Sequence, residues 1–573
     1  MHSILRILVL IFIPFLAMGN IPDPALKKMM SDDLDIIKHT FEIKYAPTEW
    51  KKKYAGWDLE EQIQLAKARI HSKENISIKD FQQIVRDFLK STQDYHVNVH
   101  FYSTEYAMLP FRIQSAQNRY FITWVQDFQL PANVSFEEGD EIILWDGKPI
   151  HQIAAELKER ELGNLNTPTD QALTEMFLPL RVGSLGHLVP SGEVSLTVKR
   201  VSSGKTVTQK LNWKYQPEKI DAPFSRSLKE GSVQGIGLSS HPFFQKKMAT
   251  PLFEPLQAVL QEADEEDSQA LLGNKIGFLP PLGKIIWKSS SDIPFYAYVF
   301  ETSKHRHVGY IRVPSYYGAE SDLEYFADLI TLFESRTDAL IIDQVNNPGG
   351  FVFYMYALAS MLTDRPLVTP TERITIIQED VAGALEILTL LEAIESDEEA
   401  QQTFGETLMG YPVSLDLVKG FIQHFQFILD EWSAGRTFTQ SNYLYGIETI
   451  KPHPKAHYSK PLLLLINSLD FSCADFLPAI LQDNKRATLF GTKTAGAGGF
   501  VLGTSYPNRF GIASYTYTGS IAARLDSNPI ENLGVTPDIP YTIDAQDLCH
   551  GYRGYSAAIQ KAVEKILKDQ PKQ

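Results

Sequence analysis

The chain has 573 residues, too many for one hydrophobic core, and a globular composition: 44% hydrophobic, 21% charged, with no low-complexity tract. A formal net charge of −15 argues against nucleic acid or an anionic membrane surface as the main partner, because both are held by basic patches. Two cysteines, Cys473 and Cys549, exclude a disulfide scaffold; a pairing between them stays open, and a free Cys473 is the expectation.

In chain order, Arg6 precedes an apolar run over residues 7–16, and Ala17-Met18-Gly19 offers small residues for cleavage. Residues 1–19 therefore read as a signal peptide, with export and secretion the expectation; the run is too short, and broken by Pro14, for a membrane anchor. Apolar residues at three- and four-residue spacing predict helices over 26–89, within an N-terminal helical region spanning 20–107. Over 108–215 the period changes to two, with strands at 121–125 and 194–198 and a Ser203-Gly204 turn into a strand over 206–213. Inside it, Gly139-Asp140-Glu141-Ile142-Ile143-Leu144-Trp145-Asp146-Gly147-Lys148-Pro149-Ile150 resembles the core signature of PDZ domains, which add a peptide as an extra strand. A plain hairpin on Asp146-Gly147 is the alternative.

Residues 216–300 read as a connector, poor in strand signals and carrying Glu262, Asp264, Glu265, Glu266 and Asp267 as a solvated acidic run. From 301 to 573 the pattern is α/β: strands at 308–313 and 339–343, helices at 323–335 and 352–362, and a helical insertion over about 380–440. In that insertion Leu385, Leu388, Leu390 and Leu391 form an apolar stripe explained by core packing. The apolar run at 461–467 predicts a strand buried on both faces.

The chemistry starts where that strand ends. Ser472 stands at a strand-to-helix junction, which exposes a side chain and supplies helix N-terminal N–H groups, Cys473 first, to an oxyanion. Serine is also a favoured helix cap, so on these residues alone capping is an equal reading. Asn346-Asn347-Pro348-Gly349-Gly350 ends another buried strand, and Gly349 and Gly350 are candidate further donors or substrate contacts. The loop Gly491-Thr492-Lys493-Thr494-Ala495-Gly496-Ala497-Gly498-Gly499 lacks the Lys-Ser/Thr ending of a phosphate-binding loop, so its open backbone points to a polypeptide rather than a nucleotide.

These three segments, in this order, resemble the C-terminal processing (tail-specific) serine proteases. The resemblance implies a multidomain α/β fold: a PDZ-like β-rich domain joined to a crotonase-like, ClpP-like α/β catalytic core. It implies cleavage of protein substrates without cofactor or metal. The family's usual base is a lysine in Thr-Phe-Gly-Lys-Gly, and the matching stretch here puts Ala497 at that position, with Lys493 a poor substitute. Longer stretches, including Ser184 to Gly192 and Glu531-Asn532-Leu533-Gly534-Val535, resemble one branch of the family in particular. By motif position that branch implies Ser472 as nucleophile, His96 as general base and Glu531 as third member. It further implies a zymogen whose internal segment, here about residues 224–288, blocks the site until cut out, the fragments then forming a homodimer. His96 as a satisfied histidine, Glu531 as a surface carboxylate, Cys473 as the nucleophile, and an inactive PDZ-like peptide-binding protein are the competing readings.

Overall fold

The computed structural model describes residues 23–126, 130–162, 167–219 and 272–568; the expected signal peptide and most of the expected inhibitory segment lie outside them. The N-terminal region is four helices, Asp23–Lys44, Thr48–Ala55, Leu59–Ser72 and Ile78–Ser91. The last starts in a reciprocal cap: Ser77 Oγ accepts the Asp80 N–H at 3.0 Å, and Asp80 accepts the Ser77 N–H at 2.9 Å. Its apolar positions Phe81, Ile84, Val85, Phe88 and Leu89 then share one buried face, as Met30, Leu34, Ile37 and Phe41 do on the first helix. These faces close over Phe510, Ile512, Tyr515 and Tyr517 from the far end of the chain. The strand Val99–Phe101 pairs antiparallel with Ile512–Thr518, Val99 opposite Tyr515. The region is thus a helical cap and an added strand on the C-terminal domain.

The PDZ-like unit is a sheet in the order Phe111–Ala116, Arg119–Val125, Glu141–Trp145, Glu193–Lys199, Thr206–Asn212. Asp146 and Gly147, at φ 49° and 76°, form the tight turn that sets Trp145 opposite Lys148. Two helices, Ile150–Leu162 and Pro168–Phe177, interrupt the stretch expected to be β throughout. Ile150, Ala154, Leu157 and Glu161 recur at helical spacing on the buried side of the first, a period the surrounding alternation masks.

The catalytic-domain sheet has seven strands in the order Lys284–Lys288, Ala297–Glu301, His307–Arg312, Ala339–Asp343, Leu462–Ile466, Thr488–Gly491, Ile539–Pro540. The first, at the sheet's edge, pairs antiparallel with the second, which pairs antiparallel with the third, and from the third on neighbouring strands pair in parallel. The sheet therefore begins at Lys284 rather than at 301: the first strand alternates between exposed and half-buried positions and carries a weak signal. Ala339–Asp343 and Leu462–Ile466 are buried throughout. Helices Val352–Met361 and Cys473–Asp483 pack in one core, and Arg553–Lys568 packs in the core on the other face.

In the insertion helix Gln378–Leu391 the buried set is Ala384, Ile387, Leu388 and Leu391, while Leu385 and Leu390 are 55% and 51% exposed. The expected stripe thus splits, because Leu385 and Leu390 fall off the i, i+3, i+4, i+7 face. The carboxyl ends of three neighbouring parallel strands lead into residues 344–350, 467–472 and 492–499. Open α/β sheets build their sites at such edges.

Candidate active site

Ser472 joins the buried strand Leu462–Ile466 to the helix Cys473–Asp483, with φ 57° and ψ −119°. That left-handed backbone is costly for a side chain with a Cβ and persists only where the surroundings impose it. Asp470 imposes much of it: its carboxylate accepts the N–H groups of Asn347 and Asn467 at 3.0 Å each and the Gln344 amide at 3.0 Å. Gln344 also donates to the Ala474 carbonyl at 2.7 Å. Pro478, four residues on, has no N–H to give that carbonyl, so Gln344 fills the gap the proline leaves inside the helix. Although Ser472 stands at the cap position, its hydroxyl makes no cap bond and has no hydrogen-bond partner among the described residues. The sharp strand–serine–helix turn is the local geometry of a nucleophile elbow.

Gly349 backs directly onto this serine. A methyl group added at Gly349 would lie 2.8 Å from Ser472 Cβ and 2.7 Å from the Phe471 carbonyl, and its φ of +92° excludes other residues comfortably. Its N–H is committed to Asn347 Oδ1 at 2.8 Å, so Gly349 contributes close approach rather than a donor. Gly350, at φ +149°, lies so close to the Tyr316 backbone that a Cβ would come within 2.2 Å of its carbonyl carbon. The Cys473 thiol is fully buried, donates to the Gly350 carbonyl at 3.2 Å, and burial pushes its pKa well up. A thiol held protonated inside the core is no nucleophile, and both cysteines are free.

His96 lies in the turn between the helix Ile78–Ser91 and the strand Val99–Phe101, not in a strand. Its backbone is pinned: its N–H donates to Asp94 Oδ1 at 2.9 Å and its carbonyl accepts the Thr516 hydroxyl at 2.6 Å. Asp94 is held in turn by Tyr45 and Thr518 hydroxyls at 2.9 and 2.8 Å. The ring itself is buried with neither nitrogen hydrogen-bonded among the described residues, which removes the reading of a satisfied histidine. Burial lowers its pKa to about 4 against the opposing pull of Asp94, so the imidazole is neutral. The adjacent Tyr95 ring meets Phe471, the residue before Ser472, edge to face at 5.8 Å.

Glu531 is fully buried, not a surface carboxylate. One oxygen accepts from the Lys51 ammonium and the other from the Gly498 N–H at 3.0 Å. Burial, then Asp94, push its pKa up to about 8, while Lys51 and the Gly498 N–H pull it back. The glycine loop folds tightly over both neighbours. Asp475 accepts the Gly496 and Ala497 N–H groups at 2.8 and 2.9 Å, and a Cβ at Gly498 would sit 2.6 Å from the Glu531 nitrogen. Ala497 is buried with Phe471 and Leu469, and Lys493 is half-buried with Nζ 3.3 Å from the Asn532 carbonyl.

The loops thus gather Ser472, Gly349, Gly350 and Cys473 on one side, and Glu531 and the glycine loop on the other. His96 is anchored to the strand Ile512–Thr518 and, through Tyr95, to the serine turn. No hydrogen bond joins the Ser472, His96 and Glu531 side chains to one another. Sequence reasoning missed Lys51, Asp94, Gln344, Asp470 and Asp475; the only sequence signal was Asp470 and Asp475 bracketing the serine. Among the described residues no group of three His, Cys, Asp or Glu is placed to hold a metal. No helix there is long and apolar enough to cross a membrane.

Comparison with known proteins bears on the family and the fold. A PDZ domain model matches residues 105–220, and a model of peptidase family S41 matches residues 307–541. An uncharacterised protein of Chlamydia muridarum is 38% identical over 563 residues, covering 93% of this chain and 92% of the relative. A protein of Chlamydia trachomatis is 37% identical over 565 residues, covering 93% and 92%. Among solved structures, mature CPAF (chlamydial protease-like activity factor) superposes with a TM-score of 0.81 at 34% identity, covering 96% of this chain and 99% of that one. A serine-to-alanine mutant of CPAF reaches 0.85 at 35% identity, covering 96% and 99%.

Proposed function

That the chain belongs to peptidase family S41, and is a serine-type peptidase acting on proteins, is the premise from which we propose its mechanism and life history. The proposal is a secreted endopeptidase with a Ser472–His96–Glu531 triad, made as a zymogen and processing itself. The observation that carries the reading is Ser472: a strained, positive-φ serine whose hydroxyl caps nothing.

Neutral His96 takes the Ser472 proton as Oγ bonds to the scissile carbonyl carbon, and the carbonyl's π pair becomes an oxyanion facing the Gly350 and Cys473 N–H groups. Glu531 offsets the imidazolium charge. Collapse breaks the C–N bond, the imidazolium gives its proton to the leaving amine, and water then hydrolyses the acyl-enzyme by the same steps.

Two observations favour a latent starting form. The three side chains are buried and not bonded to one another. Leu272, from the expected inhibitory segment, packs in the apolar cluster of Leu469, Phe471, Ala495 and Ala497, with the next residue's N–H bonded to the Asn346 carbonyl at 3.0 Å. The strand Lys284–Lys288 is hydrogen-bonded into the sheet, so the excised part is proposed to end before it. Export rests on the expected signal peptide, and a homodimer is proposed for the processed form.

A fluorophosphonate probe tests the reading. The activated wild type is labelled and Ser472→Ala is not; labelling that survives Ser472→Ala removes Ser472 from the mechanism. An unlabelled wild type returns the chain to the peptide-binding reading that Ala497 motivates.

A further inference from the structure

Lys51 has no place in the triad, yet it is the most completely engaged cation in the site. It projects from the short helix Thr48–Ala55 and is fully buried. Its ammonium donates to the Gln93 carbonyl at 2.8 Å, to Asn532 Oδ1 at 2.8 Å, and to Glu531 Oε1. An ammonium has three protons, and all three are spent. Lys51 is therefore no proton acceptor, although it reaches the loop where the family's lysine position holds Ala497: the carboxylate it binds also accepts the neighbouring Gly498 N–H.

The surroundings are built to hold that cation. Asn532, in left-handed backbone at φ 60°, accepts from Lys51 and from Trp50 Nε1 at 3.1 Å, and gives its own amide to the Gln93 carbonyl at 2.6 Å. Gln93, also left-handed at φ 54°, lies three residues before His96. One cation thus ties the loop that carries the proposed base to the loop that carries the proposed third member. Burying both charges of an ion pair is a poor source of stability, because desolvation offsets the attraction. A carboxylate that must stay charged beside Asp94 in a dry site needs such a partner.

We propose that Lys51 is a positioning residue of the triad, favouring the charged form of the Glu531 carboxyl and fixing its orientation for His96. This rests on the Ser472–His96–Glu531 reading. The titratable groups facing Glu531 are Asp94, which opposes its ionisation, and Lys51, which favours it; Asp94 is itself bonded to the Tyr45 hydroxyl and the His96 N–H.

The test compares wild type, Lys51→Met, Glu531→Gln and the double variant, with folding followed by thermal melting and casein-peptide cleavage measured across pH. Lys51→Met is expected to lower kcat by about 100-fold with KM little changed. It also moves the acid limb of kcat/KM to higher pH, since the group that favours the anion is gone. In the Glu531→Gln background the same substitution adds no further loss. An unmoved acid limb, or an equal loss of kcat in both backgrounds, overturns the inference. If Lys51→Met alone does not fold, the double variant, which leaves neither member of the Lys51–Glu531 pair charged without the other, decides: equality with Glu531→Gln sustains it and a further loss overturns it. A wild-type-like Glu531→Gln, by contrast, overturns the triad reading itself.

Discussion

Tyr95 and Phe471 meet edge to face with ring centroids 5.8 Å apart, and each immediately precedes a proposed catalytic residue, His96 and Ser472. Residues nearly four hundred positions apart in sequence are thereby held in one register. The Tyr95 hydroxyl extends the link to Thr167 and Asp170 of the PDZ-like unit, at 2.6 and 2.9 Å. Removing the ring by Tyr95→Ala should lower kcat by roughly 100-fold, with a smaller change in KM, because misplacement of the base affects the chemical step more than binding. Steady-state kinetics on a fixed peptide substrate measure the split, and a change confined to KM contradicts it.

The pH dependence should follow Glu531 rather than His96. His96, lowered to about 4 by burial, is neutral through the working range, so it sets no limb near neutrality. Glu531, pushed up to about 8 by burial and Asp94, must lose its proton to stabilise the imidazolium, so kcat/KM should rise with pH toward that value. An acid limb near 4 to 5 contradicts this assignment.

Folding stability carries the opposite signature of His96. Its folded pKa lies below the ordinary histidine value of 6.5, so the unfolded chain binds the extra proton first and stability falls as pH drops from 6.5 toward 4. His96→Leu should flatten that part of the curve, measured by denaturant melts at stepped pH. An unchanged slope places the histidine in a solvated environment.

Gly349→Ala should disable the site while leaving the domains folded. The new methyl would fall 2.8 Å from Ser472 Cβ at a φ that disfavours alanine, forcing the serine turn to shift. Fluorophosphonate labelling of this variant should be slowed by about 100-fold. Labelling at the wild-type rate shows that the turn tolerates the shift.

The rival nucleophile and the rival base are separable with one reagent and two variants. Cys473 is buried with its thiol held protonated, so iodoacetamide should leave it unmodified in the native enzyme. Lys493→Ala should keep activity while His96→Ala loses it, read by casein cleavage; the reverse pattern restores a Ser-Lys dyad.

Much of this was legible in the residues. Continuous apolar runs marked the buried parallel strands, and glycine-rich stretches marked the loops at their carboxyl ends, because strands buried on two faces leave a strong local signal. The edge strand Lys284–Lys288 and the helix Ile150–Leu162 were lost, one to its half-exposed pattern and the other to the β-rich sequence around it. Lys51 was invisible for a different reason. It sits in a helix whose sequence, Thr-Glu-Trp-Lys-Lys-Lys-Tyr-Ala, reads as a solvated basic face. Only tertiary packing distinguishes the one buried lysine from Lys52 and Lys53 beside it. Asp94 and Gln344 were hidden likewise, since each meets one partner, Thr518 and Asp470 respectively, more than a hundred residues away in sequence.

The most direct measurement is a time course of the purified full-length chain on a denaturing gel, with casein present, run beside Ser472→Ala. The account predicts that the wild type cuts itself within the segment between the PDZ-like and catalytic domains and degrades casein, while the folded Ser472→Ala protein stays intact and inert. Self-cleavage or casein loss in purified Ser472→Ala would contradict it.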